Sequence, residues 1–354
     1  MGLTILSVAF PMSPVAPNSP GGAEQILSEI DRGLVIRGHT SIVIACPGSR
    51  VVGTLIPTRT IAGPICTPQW IEAHNAVRNA MSFAFRQYQP DLVHMHGLYF
   101  ADYLPQNNLP VLATLHLPLN RYKPTDLQPS RPRTHLHCVS RSQRQTAPAW
   151  LRLLPDIENG VRTDLLRPLK RVCKKDFIIC LGRICPEKGF HLAIDAAKKA
   201  KLGMVLGGQV FPFPEHQRYF DEQIRPALDW KRRYIGPVAL TQKRGLLSAA
   251  RCAIVPSLAE ETSSLVAREA LACGTPVVAF RRGALPDIIN HGKTGFIVEH
   301  PDELADAMHA CGSLDPAECR RAAVERFDAN KMVEQYIRTY HHILEITCAL
   351  AQAV

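Results

Sequence analysis

Two glutamates, Glu261 and Glu269, stand eight residues apart around the predicted start of a helix. The apolar run before them ends a strand, EETSS is a loop, and LVAREALAC has the spacing of a short helix. Free backbone N–H groups at such a start, here around Ser263, Ser264 and Leu265, attract phosphate oxygens. The two carboxylates can accept hydrogen bonds from hydroxyls at either end of a diphosphate. The spacing therefore suggests a sugar-nucleotide site.

Two cations, Arg183 and Lys188, follow the predicted strand FIICLG in a loop that opens into another helix. Both can point at one pyrophosphate from the end of a sheet. An ordinary solvated pair at a helix start is the alternative, and Glu187 between them could neutralise Lys188. The pattern favours a second group of phosphate contacts.

The elements that must position these residues are apolar runs alternating with amphipathic stretches, which predict parallel α/β units. This layout occurs twice, with a boundary expected in the charged, proline-interrupted stretch DLLRPLKRVCKKD. We therefore expect an α/β protein of two doubly wound, Rossmann-like domains, 1–168 and 169–330, facing a central cleft. The predicted strands are ILSVAF, SIVIAC, DLVHM, VLATLH and HLHCVS, then FIICLG, MVLGG, YIGPV, CAIVPS, PVVAF and GFIVE.

The composition fits a two-domain globular protein: 354 residues, 46% of them hydrophobic. The formal net charge of +10 fits donor phosphates, anionic lipid headgroups, an acidic glycan or nucleic acid, and charge alone does not choose among them. The basic residues lack the aromatic interleaving of nucleic-acid stacking platforms, so no nucleic-acid partner is expected.

No apolar run reaches the length of a membrane span, and MGLTILSVAFPM is typical of a first strand rather than a signal peptide. The eleven cysteines are scattered singly, without CxxC or Cys/His pairs at zinc spacing, so reduced thiols and no metal site are expected. The predicted location is the cytoplasm, with peripheral contact at the inner membrane face as a candidate.

An ordered set of motifs resembles the retaining family 4 glycosyltransferases, which have the two-domain GT-B fold. It covers nearly the whole chain, and the ordered set is far more specific than any single motif. The matching segments are GGAE (21–24), DLVHMHG (91–97), TLH (114–116), CVSRS (138–142), ENGVRTDLLRP (158–168), LGRICPEKG (181–189), LGG (206–208), YIGPV (234–238), the run from Glu261 to Glu269 with EALACGTPVVAF, and the closing FDANKMVEQYIRTYHHIL.

The resemblance implies roles for the donor half. Glu261 would accept hydrogen bonds from the donor sugar, with Glu260 its rival, and Glu269 would grip the ribose hydroxyls. Arg183 and Lys188 would stabilise the leaving diphosphate in place of a metal ion, so no cofactor is expected. Gly182, Ser263, Ser264 and Leu265 would complete the substrate contacts.

The sequence departs from the family pattern at Thr262, Ser263 and Ser264, where many relatives have Gly-Phe-Gly. Backbone donors survive this change and hydroxyl groups are added, but the extra side chains narrow the pocket. The departure concerns the identity of the donor sugar more than the fold.

In the N-terminal half, Gly21 and Gly22 lie at a strand-to-helix turn, where the missing Cβ permits close approach to phosphate or acceptor. By resemblance, His116 contacts the transferred sugar, with His96 and His94 as competitors. A histidine on an apolar strand is otherwise a hydrogen-bonded structural residue.

The closing segment, 331–354, carries an apolar helical stripe that must dock on a domain. It either closes its own domain or, as the resemblance implies, returns to the N-terminal domain. The stripe consists of Val333, Tyr336, Ile337, Tyr340, Ile343 and Leu344.

The resemblance implies a retaining, metal-independent, front-face hexosyltransferase that uses a nucleotide sugar, most simply a UDP-sugar. The acceptor is open among a glycan, a lipid-linked sugar and a small molecule. The basic loop 117–137 is a solvated loop or a grip for an acidic acceptor or membrane. The alternatives are a nucleotide-sugar 2-epimerase of the same fold and a catalytically silent protein that binds polyanions or membranes.

Overall fold

The computed structural model describes residues 2–59, 67–170 and 172–352, with side chains to residue 349. The chain forms two compact units. The first unit contains the described residues up to Glu158 together with those from Asn330 onward, and the second unit is Asn159–Ala329.

The division between the units falls before the position after Pro168 that the sequence suggested. The backbone explains this difference, because the Val161 N–H donates to the Phe327 carbonyl at 2.8 Å and the Ala329 N–H donates to the Val161 carbonyl at 3.0 Å. Leu166 is also buried in the core of the second unit. The stretch from Asn159 to Pro168 therefore belongs with the second unit.

The first unit contains a parallel sheet of six strands in the order β3-β2-β1-β4-β5-β6. Most strand residues are buried, as expected for a parallel sheet covered by helices on both faces, and the exceptions include three of the four residues of the edge strand β3. The strands are β1 (Thr4–Val8), β2 (Thr40–Ala45), β3 (Thr54–Pro57), β4 (Leu92–Met95), β5 (Val111–Leu115) and β6 (Thr134–Cys138). The helices before the second unit are α1 (Gly22–Ile36), α2 (Thr67–Tyr88), α3 (Pro124–Leu127) and α4 (Arg141–Gln145).

The second unit repeats this architecture with the strand order β12-β11-β10-β7-β8-β9, again all parallel. Its strands are β7 (Lys175–Leu181), β8 (Gly203–Gly207), β9 (Arg232–Tyr234), β10 (Ala250–Val255), β11 (Val277–Phe280) and β12 (Gly295–Val298). Its helices are α5 (Phe190–Lys199), α6 (Pro214–Tyr219), α7 (Leu240–Ala249), α8 (Leu265–Ala272), α9 (Leu285–Ile288), α10 (Leu304–Ala310) and α11 (Pro316–Arg326). Short 3₁₀ turns include Pro186–Lys188 after β7.

The final helix, α12 (Ala329–Gln352), packs within the first unit from Asn330 onward. A Cβ added to Gly33 of α1 would lie 2.6 Å from the Val333 side chain, so the missing side chain lets α12 approach closely. Four residues of the predicted stripe are fully buried, namely Val333, Tyr336, Tyr340 and Ile343.

Two details differ from the sequence expectation. The strand predicted at YIGPV ends at Tyr234, because Gly236 adopts a left-handed φ of 73° that breaks the extended backbone. Strand β3 was not predicted, since it is only four residues long and has one buried residue, Ile56.

The ten described cysteines are free thiols, and Cys66 lies outside the described residues. Across the parts of the chain that the structure describes, no helix has the length and apolar character needed to cross a bilayer.

Candidate functional site

The candidate residues of the second unit collect where its strand order reverses. β7 and β10 are neighbours in the sheet, but the chain proceeds from β7 toward β9 on one side and from β10 toward β12 on the other. The loops after two such strands diverge and leave a crevice at their carboxyl ends, which is where doubly wound sheets bind ligands. Gly182, Arg183 and Lys188 follow β7, and Glu261 and Ser264 follow β10.

The two loops are joined through their backbones. The Glu187 carbonyl accepts hydrogen bonds from the N–H groups of Leu258 at 2.9 Å and Ala259 at 3.4 Å. Gly189 has a left-handed φ of 63°, and a Cβ there would lie 2.1 Å from the Pro256 carbonyl oxygen. Only glycine fits at that position, and it brings the loop after β7 against the end of β10.

Lys188 and Glu261 meet at this junction. The Lys188 ammonium lies 2.5 Å from Glu261 Oε1, and the Ser257 hydroxyl donates to the same carboxylate oxygen. The side chains are 28% and 10% exposed, so the pair is partly shielded from water yet open on one side. A cation and a carboxylate are thus fixed side by side at the reversal point of the sheet.

The neighbouring Glu260 is placed differently from Glu261. It is exposed, and its carboxylate accepts a hydrogen bond from the Gly283 N–H. The Glu261 backbone carbonyl accepts from the Ala284 N–H at 2.7 Å. These contacts hold the loop and leave only Glu261 directed toward Lys188.

Ser264 caps α8 in a strained conformation. Its φ of 45° lies in the left-handed region, which non-glycine residues rarely adopt. This is the last of the three positions where the sequence departs from Gly-Phe-Gly, so a serine holds a backbone shape suited to glycine. Ser263 beside it is buried, and within the described part of the chain its hydroxyl has no hydrogen-bond partner.

The side chain of Arg268 stabilises the turn before α8 through hydrogen bonds to backbone carbonyls. It is fully buried; its Nε–H donates to the Ser263 carbonyl at 2.9 Å and Nη1 donates to the Asn159 carbonyl. Its guanidinium also lies 4.4 Å from the centre of the Phe327 ring, within the range of a cation–π contact. A buried cation therefore fixes the carbonyl just before the left-handed residue.

Glu269 is the fifth residue of α8, about one turn from its start. It is buried and accepts a 2.7 Å hydrogen bond from the Lys243 ammonium of α7. Leu265 is the first residue of α8, so its N–H and the next two are free of intrahelical partners. The two glutamates thus lie on either side of a helix start, as predicted.

The predicted pair Arg183 and Lys188 does not share one partner. Arg183 Nη2 lies 4.0 Å from Glu187 Oε1, whereas Lys188 turns to Glu261. Gly182 directly follows β7, and its N–H donates to the Gly207 carbonyl at 3.1 Å.

In the first unit, Gly21 is the residue before α1, and Gly22 is the first residue of that helix. A Cβ on Gly21 would lie 1.9 Å from Glu24 Oε2. The missing side chain therefore makes room for the buried Glu24 carboxylate.

The three candidate histidines of the first unit have distinct surroundings. His94 is fully buried between Tyr340 of α12 and Thr114 of β5, at 2.8 and 2.7 Å. His116 directly follows β5 and is partly exposed, with Nε2 at 3.0 Å from His96 Nδ1. Burial, and to a lesser extent the neighbouring His137, lower the pKa of His116 to about 3, so its imidazole is neutral.

The contacts of His94 form a directional chain. His137 Nδ1 lies 3.0 Å from the Cys138 carbonyl and must donate, so its Nε2 accepts from the Thr114 hydroxyl at 2.6 Å. Thr114 then accepts from His94 Nε2–H, and His94 Nδ1 accepts from the Tyr340 hydroxyl. Burial lowers the pKa of both histidines, which agrees with their neutral forms. His94 is therefore a structural residue.

The basic loop 117–137 is partly used by its own unit. The Arg131 guanidinium donates to the carbonyls of Pro105 at 2.8 Å and Asn107 at 2.6 Å. Lys123 Nζ lies 5.6 Å from the centre of the Tyr99 ring. These two side chains hold the loop to the first unit.

Sequence reasoning missed three supporting residues: Ser257, Lys243 and Arg268. A charge inside the apolar helix LVAREALA was a signal for Arg268, because a buried arginine requires fixed partners. Lys243 and Ser257 had no such signal, since their roles depend on neighbours distant in sequence.

Two doubly wound units, each built on a parallel six-stranded sheet, are the architecture of the GT-B glycosyltransferases. The family description Glycosyltransferase Family 4 matches residues 20–164, and Glycosyl transferases group 1 matches residues 175–312. The chain belongs to this family of glycosyltransferases.

Parts of the chain are also similar in sequence to individual glycosyltransferases. The D-inositol 3-phosphate glycosyltransferase of Corynebacterium jeikeium is 44% identical over 78 residues, 22% of this chain and 18% of that protein. Segments matched in the first curated relatives cover 18% to 36% of those proteins' lengths.

Two solved structures show the fold over almost the entire chain. Sucrose-phosphate synthase from Thermosynechococcus elongatus has a TM-score of 0.81 at 19% identity, covering 97% of this chain and 100% of that one. Anabaena Alr3699/HepE, solved in complex with UDP and glucose, has a TM-score of 0.74 at 20% identity, covering 95% and 99%.

Proposed function

We propose that the protein transfers a hexosyl group from a nucleotide sugar to an acceptor, with retention at the anomeric carbon and without a metal ion. The observation that carries the proposal is the pairing of Lys188 with Glu261 where the loops after β7 and β10 meet. A UDP-sugar is the favoured donor, supported by the UDP and glucose complex of the HepE structure.

In this proposal the diphosphate binds near the start of α8. Free N–H groups from Leu265 onward and the helix dipole attract its oxygens. Arg183 and Lys188 add charge-assisted hydrogen bonds to the leaving phosphate. As the bond from the anomeric carbon to the phosphate oxygen breaks, negative charge builds on that oxygen, and preorganised cations stabilise it.

The carboxylates bind the two ends of the donor. Glu261, aimed at Lys188, accepts hydrogen bonds from sugar hydroxyls, and Glu269 accepts from the ribose hydroxyls. The Ser263 hydroxyl, which has no partner among the described residues, supplies a further contact to the donor. On the retaining front-face route, the leaving phosphate takes the proton of the acceptor hydroxyl as the new glycosidic bond forms.

The acceptor is a glycan, a lipid-linked sugar or a small molecule. The role that the family resemblance implies for His116, contact with the transferred sugar, remains part of the proposal. Its neutral imidazole can donate or accept a hydrogen bond.

Proton NMR of the reaction tests the chemistry. The protein is incubated with UDP-glucose, EDTA and a panel of acceptors, and the coupling of the product's anomeric proton is read at early times. A retaining enzyme gives an α-linked product from the α-linked donor. The proposed roles of Glu261 and His116 also predict a large loss of rate in Glu261→Gln and His116→Ala. A β-linked first product, or dependence on an added divalent ion, would contradict the proposed mechanism.

A further inference from the structure

Three side chains with different donor atoms meet beside the loop after β7. Cys185 and Glu187 belong to that loop, and His216 belongs to α6. One thiol sulfur, one carboxylate oxygen and one ring nitrogen all lie within 4.8 Å of one another. Cys185 and His216 are buried, and Glu187 is partly exposed.

The fold brings these residues together from separate segments. β7 and β8 are parallel neighbours, so the loops that follow them emerge at the same edge of the sheet. Cys185 immediately precedes the turn Pro186–Lys188, and His216 lies in the short helix that follows β8. The rings of Phe211 and Phe213 lie edge-on to His216, with centroids 6.3 and 5.2 Å away. They shield one side of the imidazole from water.

The hydrogen bonding of this cluster is incomplete. His216 is only 8% exposed, and among the residues that the structure describes its Nδ1 has no hydrogen-bond partner. A buried, unpaired ring nitrogen is unfavourable. The Cys185 thiol lies 3.5 Å from the Arg183 carbonyl and also donates to the Glu187 carboxylate.

Burial first, and then the negative charge of Glu187, raise the pKa of Cys185 to about 12. For Glu187 burial acts in the raising direction. Its own backbone N–H, the Cys185 thiol and Arg183 outweigh that effect and lower its pKa. A protonated thiol thus lies beside an ionised carboxylate.

We propose that Cys185, Glu187 and His216 form a binding site for a divalent transition-metal ion, with zinc the best match to the donor set. Thiolate, imidazole and carboxylate are the three ligand types that zinc takes in proteins. Tetrahedral bonds of about 2.0 to 2.3 Å place donors roughly 3.5 Å apart, so no pair of donors, all within 4.8 Å of one another, has to close by more than about 1.3 Å. Water completes the coordination.

Binding exchanges a proton for the ion. The Cys185 S–H bond breaks, the proton leaves to solvent, and a zinc–thiolate bond forms; no oxidation or reduction occurs. The ion would tie α6 to the loop that carries Arg183, and it would take the Glu187 carboxylate that now lies 4.0 Å from Arg183. It lies outside the reaction proposed above and is not one of its participants.

Metal titration without any nucleotide tests the site, so its outcome does not depend on the proposed transfer activity. EDTA-treated, reduced protein is titrated with Zn²⁺ by calorimetry, for the native chain and for Cys185→Ser, His216→Asn and Glu187→Gln. The native chain should bind one equivalent of Zn²⁺. Its affinity should fall by at least about 100-fold in the first two variants, because losing a direct metal ligand costs more affinity than losing a residue that only supports a ligand. The exposed Cys173 and His300 provide the matched controls Cys173→Ser and His300→Asn, which should bind as the native chain does.

Cobalt gives a second readout, and the cysteine variants assign its band to one thiolate. Co²⁺ should produce a thiolate charge-transfer band that is absent in Cys185→Ser and retained in Cys173→Ser. Circular dichroism checks that each variant folds. Because Glu187 is partly exposed, Glu187→Gln should fold and still lose affinity for zinc. Equal zinc affinity and an equal cobalt band in native and Cys185→Ser protein would overturn the proposal, as would equal zinc affinity in His216→Asn or Glu187→Gln.

Discussion

Lys188 and Glu261 form the central contact of the candidate site, and each partner changes what the other can do. Glu261 neutralises a cation that would otherwise stand partly desolvated without a counter-charge. An incoming diphosphate carries its own negative charge and competes with Glu261 for the ammonium. The pair is therefore a preorganised arrangement whose ionic bond must be shared or exchanged on donor binding.

This competition predicts opposite effects for its two members. Glu261→Gln removes the competing charge, so UDP should bind as tightly as to the native chain or up to about tenfold more tightly, whereas transfer falls. Lys188→Ala should weaken UDP binding by about 10- to 100-fold, the range for a charge-assisted hydrogen bond. Calorimetry of UDP checks both, with Glu260→Gln as the control. Equal weakening in Glu261→Gln and Lys188→Ala would contradict the competition.

Ser264 predicts a gain in stability. A left-handed residue with a Cβ costs about 1 to 2 kcal/mol, offset in part by the greater freedom of glycine in the unfolded chain. Ser264→Gly should therefore raise the free energy of unfolding by about 0.5 to 1 kcal/mol. Ser263→Gly is the control, because φ is not positive there, and it should destabilise. Urea unfolding measures both, and a loss of stability in Ser264→Gly would show that the serine hydroxyl outweighs the strain.

At the residue scale, the sequence could predict where the candidate side chains lie more easily than how they pair. The positions of Glu261, Glu269, Arg183 and Lys188 beside strand ends and helix starts were predictable because their spacing relative to those elements is local. The pairing of Lys188 with Glu261 depends on two loops distant in sequence. His216 was missed for the same reason, because it is distant in sequence from Cys185 and no spacing typical of zinc sites relates the two residues.

At the element scale, α12 is held to the first unit by both packing and polar contacts. Val333 fills the space left by Gly33, and Tyr340 begins the hydrogen-bond chain through His94 and Thr114 to His137. Because Tyr340 is the donor that His94 Nδ1 requires, the chain has one orientation. The hydrogen-bond chain therefore fixes the orientation of α12 on the first unit and also stabilises its packing there.

This hydrogen-bond chain predicts that two similar tyrosines of α12 contribute differently to the free energy of unfolding. Tyr340→Phe leaves His94 Nδ1 buried without a donor and should lower the free energy of unfolding by about 1 to 3 kcal/mol. Tyr336→Phe loses only a 3.5 Å contact to Thr114 and should cost less than about 1 kcal/mol. Thermal unfolding of the two variants compares them directly. Equal destabilisation would show that ring packing, rather than the hydroxyl of Tyr340, determines the effect.

Most elements could be predicted because buried parallel strands are short, continuous apolar runs. The prediction failed where this signal is weak. β3 is a short edge strand, and at YIGPV the apolar pattern continues beyond the point where Gly236 turns the backbone. The helix start at Ser264 was predictable, but its left-handed φ was visible only as a departure from the family pattern.

At the scale of the whole molecule, buried neutral histidines make stability depend on pH. The pKa is about 4 for His137 and about 3 for His116, and burial holds the pKa values of His94 and His96 well below the usual value. Below about pH 6.5 the unfolded chain takes up protons that the folded chain excludes. Stability is therefore fully present above that pH and falls on acidification, by up to about 1.4 kcal/mol per pH unit for each group.

Urea unfolding at pH 7, 6 and 5 checks this dependence. The unfolding midpoint should fall steadily between pH 6.5 and 5. His116→Gln should show a shallower decline, because one excluded proton is removed, whereas the exposed His300→Gln should match the native chain. A midpoint that is constant over this range would contradict the neutral-histidine cluster.

The two-unit organisation followed from the repeated α/β pattern, but the boundary did not. Composition placed it in a proline-interrupted, charged stretch, whereas a backbone pairing of Val161 with Asp328 assigns the preceding segment to the second unit. Such long-range pairing leaves no local signal. The acceptor is equally absent from the sequence pattern, because the recognisable motifs concentrate around the proposed donor site.

The most direct test of the account is calorimetric binding of UDP-glucose in EDTA to the native chain, Arg183→Ala, Glu269→Ala and Lys293→Ala. Lys293 is an exposed lysine of the second unit and serves as the charge-matched control for Arg183. The account predicts metal-free binding that weakens about 10- to 100-fold in the first two variants and is unchanged in the third. Undetectable binding to the native chain, or equal losses in all three variants, would contradict a donor site at this reversal point.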